Sequence, residues 1–597
     1  MRTVPLTTPI PGTHVHSVRS EEDASRAHAL LDSGCRIAFD TETTGVGYFD
    51  ELRLVQFSDR NDAYVFEPGD FPDLVHKLAT HPNRLAHNAN FDANHLARFT
   101  GLPVATVLEG VTDTFLLSKL RDPRRRQDGN KLGHGLKDLV EHFINADFPD
   151  GDKVLKEKFR ANGWNSTTGW ANICINDVDY RRYAGLDCLG LWPLGAELEH
   201  DVERLGLSSL VAFDHRVNSI CAEMRETGFL VDLDYTKQVA AELEANCESL
   251  ASKARLFGIE NLNSRAQIQE ALLSRGCELK KRTPSGELAV DGDVLKGLDD
   301  EVAQLVTAYR DDAKALSTWV KPFLEHGAHD GRLHAQINSM EAKTFRMSIT
   351  NPALQTLPKK DWRIRSCLTA DEGHVLIACD FSQVELRVMA ALSKEQRMLD
   401  MFLDGQDLHS QVAQRLYGDD FTSEQRSRAK TVNFGVSYGQ GATSLAESLG
   451  ISKGEARATI DRFFRNFPRL HRWIDNNTEM VRDRRPRVTT MTGRVIPVDV
   501  GRGKAYAASN YLIQSLAGDI FKDRLIALHD AGLGPMLRLP VHDEIILSAP
   551  IEDAEEVARL VEDTMSDELM GCPITAEAEI LPGHSWGSKY APQESYV

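Results

Sequence analysis

The sequence has no run of about 18 apolar residues and no charged-then-apolar leader, so neither a membrane-spanning helix nor a secretion signal is expected. Its nine cysteines form no CxxC pair and have no regular spacing, which argues against a zinc module or a disulfide framework and makes a reducing cytoplasm the default compartment. Cations are not in excess either. With 69 Lys+Arg against 88 Asp+Glu, the formal charge of −19 argues against a protein that simply coats nucleic acid. An enzyme acting on nucleic acid stays allowed, because carboxylates clustered at metal sites can outweigh a basic groove. At 597 residues the chain is too long for one core, and roughly three to five domains are expected.

The rest of the chain is organised around Val375 to Arg387, VLIACDFSQVELR. An apolar, β-prone run delivers Asp380 to the mouth of a buried strand, where the chain turns helical and presents Glu385 and Arg387. Alone, Asp380 would read as a helix N-cap. A second stretch, Leu537 to Leu547, reads as two short apolar strands meeting at His542-Asp543-Glu544. Two acidic turns on apolar strands suit a phosphoryl-transfer site in which carboxylates hold two divalent ions about 3.5–4 Å apart.

In the N-terminal third, Ile37-Ala38-Phe39 leads into DTETTG. On a strand Asp40 and Glu42 share a face and Thr41 points away, although DxE alone favours a solvated turn. Asn88 to Asp92 then opens an amphipathic helix, and Tyr183 and Asp187 are neighbours at i and i+4. Strand DxE, then NxxxD, then YxxxD resembles the three exonuclease motifs of the DEDDy proofreading family, which has an RNase H-like fold. The resemblance implies that Asp40, Glu42, Asp92 and Asp187 hold two divalent cations, that Tyr183 orients the attacking water, and that Asn88 supports the ligands. Between the last two motifs, about residues 121–176 read as a polar, solvated loop in which Arg124, Arg125 or Arg126 could touch a phosphate.

From about Asp201 to Ala328 apolar residues recur at helical spacing, with a capped helix start at Asn261 to Gln269 and a basic loop at Lys280 to Gly286. Its wording, NLNSRAQIQEAL, KKRTPSGE and YRDDAKALSTW, resembles the thumb of family A DNA polymerases, the family of bacterial DNA polymerase I. Lys280, Lys281, Arg282 and Lys314 are then candidates for duplex contacts.

Arg426, Lys430, Phe434 and Tyr438 recur every four residues and form one helical stripe of two cations and two rings, a pattern suited to a nucleoside triphosphate. The stripe resembles that family's fingers helix, RxxxKxxxFxxxYG. By resemblance, Arg426 and Lys430 take the triphosphate, with Lys430 a general acid for pyrophosphate. Phe434 stands against the sugar and Tyr438 caps the templating pocket. Glu385 excludes a ribose 2′-hydroxyl, and Gln383, His409 and the Phe381 carbonyl complete the nucleotide site. Arg346, Asn510, Gln514 and His542 contact the primer-template. Arg482 to Arg487, RDRRPR, is a solvated loop or a phosphate-steering patch. The chain leaves the family pattern at Phe345, where Gly is usual, at Tyr506, where Arg is usual, and at Pro540, where Gln is usual.

The implied architecture is mixed α/β. An RNase H-like exonuclease domain (1–200) precedes a right-hand polymerase with thumb (201–340), palm (341–415 and 495–597) and fingers (416–494), and no 5′-nuclease domain. The implied activity is DNA-templated DNA synthesis with proofreading, of a bacteriophage type, by a monomer in the cytoplasm of the host. Two Mg²⁺ or Mn²⁺ ions are implied per site, with Asp380, Asp543 and Phe381 as polymerase ligands and Glu544 beside them. Primer-template DNA and dNTPs are the implied partners, with a processivity factor or other replisome protein as an additional one. Two other readings are an exonuclease whose C-terminal half only binds nucleic acid, and a silent DNA-binding scaffold. The second would predict damaged carboxylate sets, and none of the six acidic ligands is replaced.

Overall fold

The apolar run Ile37-Ala38-Phe39 becomes the start of β3, an interior strand of a seven-stranded sheet, and burial on both faces is what desolvates the carboxylates that follow it. The computed structural model describes residues 6–144, 150–283, 285–358, 361–483 and 485–591. Strands β1 (Leu6–Thr7), β2 (His14–Ser17), β3 (Ile37–Thr43), β4 (Leu52–Ser58), β5 (Asp62–Phe66), β6 (Arg84–Ala86) and β7 (Val111–Asp113) lie in the order β1-β2-β5-β4-β3-β6-β7. β3 pairs antiparallel with β4 and parallel with β6.

Helices cover this sheet. α1 (Ala89–Thr100) buries Ala89, Ala93, Leu96 and Ala97. The stretch expected to be a solvated loop is largely helical. It contains α2 (Leu136–Phe143) and the helices Asp150–Ala161 and Ser166–Asn172. The misreading has a physical reason: the segment is polar on average, but Leu139, Val140, Leu155 and Phe159 are spaced so that each helix buries one narrow stripe. Long helix α3 (Val178–Arg204) receives that stripe and lies against the sheet, where a Cβ on Gly185 would come within 2.5 Å of Val15.

α4 (Ser208–Thr227) joins the two halves. Its Ala222 belongs to the core around the first sheet, whereas Val217, Ile220, Cys221 and Met224 belong to the C-terminal core. The expected helical stretch follows, with Leu233–Arg255 packed against Glu301–Ala315, and Ser264 caps the helix that starts at Arg265 by accepting from the Gln267 N–H.

The second sheet draws together distant segments. β8 (His374–Phe381) lies between β10 (Glu544–Pro550) and β11 (Ala576–Ile580), and β9 (Leu537–Val541) forms the edge beyond β10, all antiparallel. Pro540 is therefore on an edge strand, where a missing N–H costs least. Around the sheet stand α5 (Val384–Ser393), α6 (Leu408–Tyr417), α7 (Ser423–Ser437) and α8 (Ala508–Leu528). No helix among the described residues is long and apolar enough to cross a membrane.

Candidate active sites

Strand alternation on β3 turns Asp40 and Glu42 to one side, and the i,i+4 spacing on α3 brings Tyr183 and Asp187 to meet them. Carboxylate oxygens of Asp40, Glu42 and Asp187 lie within 4.8 Å of one another. Asp92, on α1, falls outside that tight set but lines the same pocket, where Thr41 donates its hydroxyl to Asp92 Oδ1 at 2.6 Å. Thr41 is thus part of the site rather than turned away from it. Asn88 adopts a left-handed φ of 61° at the start of α1, a conformation secured by Asp113, whose two oxygens accept from the Asn88 and Ala89 N–H groups at 2.8 and 2.9 Å.

Burial, followed by repulsion from Asp92, Asp187 and Glu42, holds the Asp40 carboxyl well above the ordinary range, opposed by a 2.7 Å hydrogen bond from Gln56. Burial likewise raises Glu42, and it pushes Asp92 up to about 7. Mutually repelling oxygen ligands in a buried cluster are the donor set that hard divalent cations take, so the residues fit the metals implied for them. One residue here was not foreseen. Lys137, on α2, donates to the Tyr183 hydroxyl and lies 3.6 Å from Asp187 Oδ2. The polar composition of its segment hides it in the sequence, although the Leu136/Leu139/Val140/Phe143 periodicity is an available signal.

Arg124, Arg125 and Arg126 are engaged within the protein. Arg124 holds Asp122 at 2.8 Å, Arg125 holds Asp128 at 2.9 Å, and Arg126 holds Asp138 at 2.6 Å. These ion pairs brace the segment.

The second cluster forms where β8 ends and β10 begins. Asp380 pairs in register with Glu544, and the Phe381 N–H donates to the Asp543 carbonyl at 3.2 Å, which sets the two aspartates on adjacent strand ends. Both turns are sharp: His542, between β9 and β10, has φ 60°, and Gln383, after β8, has φ 55°. Glu544 is buried and neutralised by Lys589, whose Nζ is 2.6 Å from Oε1. Lys589 ends the turn Trp586–Lys589, whose Trp586 ring lies 4.0 Å from the buried Arg365 guanidinium. Glu385 forms an ion pair with Arg346, and His542, Asp543 and Arg346 line one pocket.

The α7 stripe lies beside α6. Arg426 binds Asp407 at 2.8 Å, and Gln383 donates to the same carboxylate at 3.2 Å. Asp407, which sequence reasoning passed over, also caps α6 and so organises three expected nucleotide contacts. Its signal was the N-cap position before Leu408. His409 is buried, and Asn433 donates to its Nδ1 at 2.9 Å, leaving Nε2 to carry the ring proton. Burial lowers its pKa to about 4, so the ring is neutral. Lys430 is exposed, and the Phe434 and Tyr438 ring centroids lie 6.0 Å apart.

Asn510 and Gln514 are one turn apart on α8, and Asn510 Oδ1 is a buried acceptor without a partner among the described residues. Tyr506 is exposed, with its ring over Gly439 at the end of α7; a Cβ on that glycine would lie 2.7 Å away. Phe345 takes the left-handed φ of 61° that suits the usual Gly, and its ring is buried 4.6 Å from the Arg494 guanidinium. Arg494 is itself held by Asp214 and Asp519, each at 2.8 Å. Lys280 and Lys281 pair with Glu278 and Asp291, Arg282 donates to the Gly286 carbonyl, and Lys314 stands 5.6 Å from the Trp319 ring. In the 482–487 patch Arg482, Arg485 and Arg487 are exposed, and Arg484 lies outside the described residues.

Residues 15–203 match a 3′-5′ exonuclease family, and residues 233–588 match DNA polymerase family A. The chain is 34% identical to the DNA polymerase of Mycobacterium phage D29, over 97% of this chain and 96% of that one, and 35% identical to the DNA polymerase of Mycobacterium phage L5, over 93% of each. It is 33% identical to the thermostable DNA polymerase I of Thermus aquaticus, over 62% of this chain and 47% of that one. Among solved structures it resembles the POL domain of Pol1 from M. smegmatis in complex with DNA primer-template and dNTP, with a TM-score of 0.78 and 26% identity over 96% of this chain and 99% of that one. Two carboxylate sites on two sheets, each inside the segment that its family spans, agree with these relatives: the chain belongs to DNA polymerase family A and is a DNA-directed DNA polymerase with a 3′-5′ exonuclease domain.

Proposed function

We propose that the chain extends a primer 3′-hydroxyl with dNTPs at the Asp380/Asp543 cluster and removes misincorporated 3′ nucleotides at the Asp40/Glu42/Asp92/Asp187 cluster, both by two-metal chemistry. The observation that carries this is the pair of separate carboxylate clusters at strand ends of two different sheets. Divalent cations, Mg²⁺ or Mn²⁺, held by Asp380, Asp543 and the Phe381 carbonyl at one site and by the four exonuclease carboxylates at the other, would neutralise phosphate charge and lower the pKa of the attacking oxygen.

The chain's own groups do the positioning. Lys430 and Arg426 orient the triphosphate, and Lys430 Nζ gives a proton to the departing pyrophosphate. The Phe434 ring lies against the sugar while Glu385 fills the place of a 2′-hydroxyl, which selects deoxyribonucleotides. Tyr438 closes the templating pocket. Arg346, Asn510, Gln514 and His542 hold the primer end and the nascent pair. At the other site Tyr183 orients the attacking water. The sheet that unites 374–381 with 537–550 and 576–580 supports a division into exonuclease (1–200), thumb (201–340), palm (341–415 and 495–597) and fingers (416–494). The phage relatives support work in a host cytoplasm on primer-template DNA.

A primer-template assay in Mg²⁺, with and without dNTPs, tests both activities on one gel. Asp380→Ala or Asp543→Ala should abolish extension and spare degradation, and Asp40→Ala with Glu42→Ala should do the reverse. Normal extension by either palm variant would sink the polymerase assignment.

A further inference from the structure

Lys137 is the only lysine or arginine lining the exonuclease pocket among the described residues. Its ammonium donates to the Tyr183 hydroxyl, stands 3.7 Å from the centroid of the same ring, and lies 3.6 Å from Asp187 Oδ2. An ammonium has donors and no acceptor, so in this contact the tyrosine oxygen accepts. The phenol has a single proton, and that proton must then point away from Lys137. The geometry therefore sets the direction of the hydroxyl as well as its place.

The support for Lys137 is built. Leu139 and Val140 bury the other face of α2 against the protein, and Asp138 is tied to Arg126 at 2.6 Å. Just upstream, the His134 ring is held between Ser118 Oγ at 3.0 Å and the Arg124 carbonyl at 2.9 Å. Arg53, the other cation near these carboxylates, is committed elsewhere: it donates to the carbonyls of Trp170 and Ile173.

We propose that Lys137 is a positioning residue of the exonuclease reaction: it fixes the Tyr183 oxygen as an acceptor and so turns the phenolic proton away from the ammonium, toward the water that Tyr183 orients. This rests on the assignment of Tyr183, Asp40 and Asp187 to the exonuclease site. The alternative is that Lys137 only balances Asp187, in which case its loss would act independently of Tyr183.

A double-mutant cycle in the full chain separates the two. Single-turnover degradation of a 3′-labelled single-stranded oligonucleotide without dNTPs is measured for Tyr183→Phe, Lys137→Met, the double variant and Lys137→Arg. Lys137→Met should slow the cleavage step by about tenfold, as should Tyr183→Phe, with no further loss in the double variant and substantial recovery in Lys137→Arg. Oligonucleotide affinity, read by fluorescence anisotropy in EDTA, should change by less than about twofold, since the effect is on orientation rather than capture. Extension of a matched primer serves as an internal control, and Lys137→Gln replaces Lys137→Met if the latter melts early. Losses that multiply in the double variant, or Lys137→Met and Lys137→Gln cleaving at the parental rate, would overturn the proposal. If Asp40→Ala combined with Asp187→Ala still degrades the oligonucleotide, the site assignment itself fails.

Discussion

Arg346 and Glu385 are ion-paired at the polymerase pocket, Nη2 to Oε1, with the Arg346 stem lying over α8, where a Cβ on Gly518 would make an ordinary 3.5 Å contact with it. One residue is proposed to reach the primer and the other to guard the sugar, so the pair links the two checks. Burial raises the Glu385 pKa, Arg346 lowers it, and Asp543 raises it again. Glu385→Ala should reduce discrimination against ribonucleotides, measured as the rNTP/dNTP ratio in kcat/KM, by at least about tenfold, equivalent to about 1.4 kcal/mol. Arg346→Ala should lower kcat/KM for dNTPs by at least about tenfold while stranding a carboxylate beside Asp543. The double variant should therefore lose less than the sum of the singles, and strict additivity would count against the linkage.

Lys589 supplies the counter-charge for Glu544 and also lies 3.7 Å from Glu579. Without it a buried carboxylate directly opposite Asp380 loses its ion-pair partner, and the charge at the two aspartates changes. Lys589→Met should cut the extension rate by about tenfold at saturating dNTP, leave degradation of single strands intact, and be rescued in part by Lys589→Arg. Equal losses in both activities would point to general unfolding instead.

Asp371 gives a pH-dependent contribution of known sign. Burial alone would raise its pKa, but hydrogen bonds from Arg538, Ser548 and Arg332 outweigh it and leave the carboxyl well below its usual value. A depressed carboxylate pKa stabilises the fold above the unfolded value of about 3.9, and the contribution disappears as pH falls toward the folded value. At pH 7 Asp371→Asn should cost about 1–3 kcal/mol, because Arg538 is buried and is held by Asp371 at 2.6 Å. The gap in Tm between parent and variant should narrow steadily below about pH 4. A gap that is the same at pH 7 and pH 3.5 would deny the charge its role.

The parts of the site that the sequence displays are those carried by local pattern. Apolar strands ending in Asp380 and in His542-Asp543-Glu544, the Asp40/Glu42 alternation and the Arg426-Lys430-Phe434-Tyr438 stripe all follow from the repeats of strand and helix, and each lies on the expected element. What stayed hidden depends on tertiary partners. Lys589 meets Glu544 and Asp407 meets Arg426 only after the chain has folded, and Lys137 was obscured by a polar segment whose helices bury narrow stripes. Phe345 shows the limit of a single-residue departure. The left-handed backbone that suits Gly persists, and the ring is accommodated beneath Arg494, an arginine from the turn joining the antiparallel pair Arg487–Thr489 and Val495–Pro497.

The exonuclease carboxylates put metal binding and fold stability in opposition. Burial and mutual repulsion raise Asp40 and Glu42, so the cluster costs stability whenever its charges are not balanced by cations. Removing one charge without changing shape relieves part of that cost. In EDTA at pH 8, Asp40→Asn should therefore melt above the parent by roughly 2–4 °C, corresponding to about 1 kcal/mol in a unit of 150–250 residues. In millimolar Mn²⁺ the order should reverse, because the parent gains binding free energy from a complete ligand set and the variant gains less. Gln56→Ala provides the matching control. It removes the 2.7 Å hydrogen bond to Asp40 Oδ2 and leaves all four acids in place, so it should lower Tm in EDTA. A parent that outmelts Asp40→Asn equally in chelator and in Mn²⁺ would show that Asp40 contributes as an ordinary buried hydrogen-bonding group rather than as one of a set of repelling ligands.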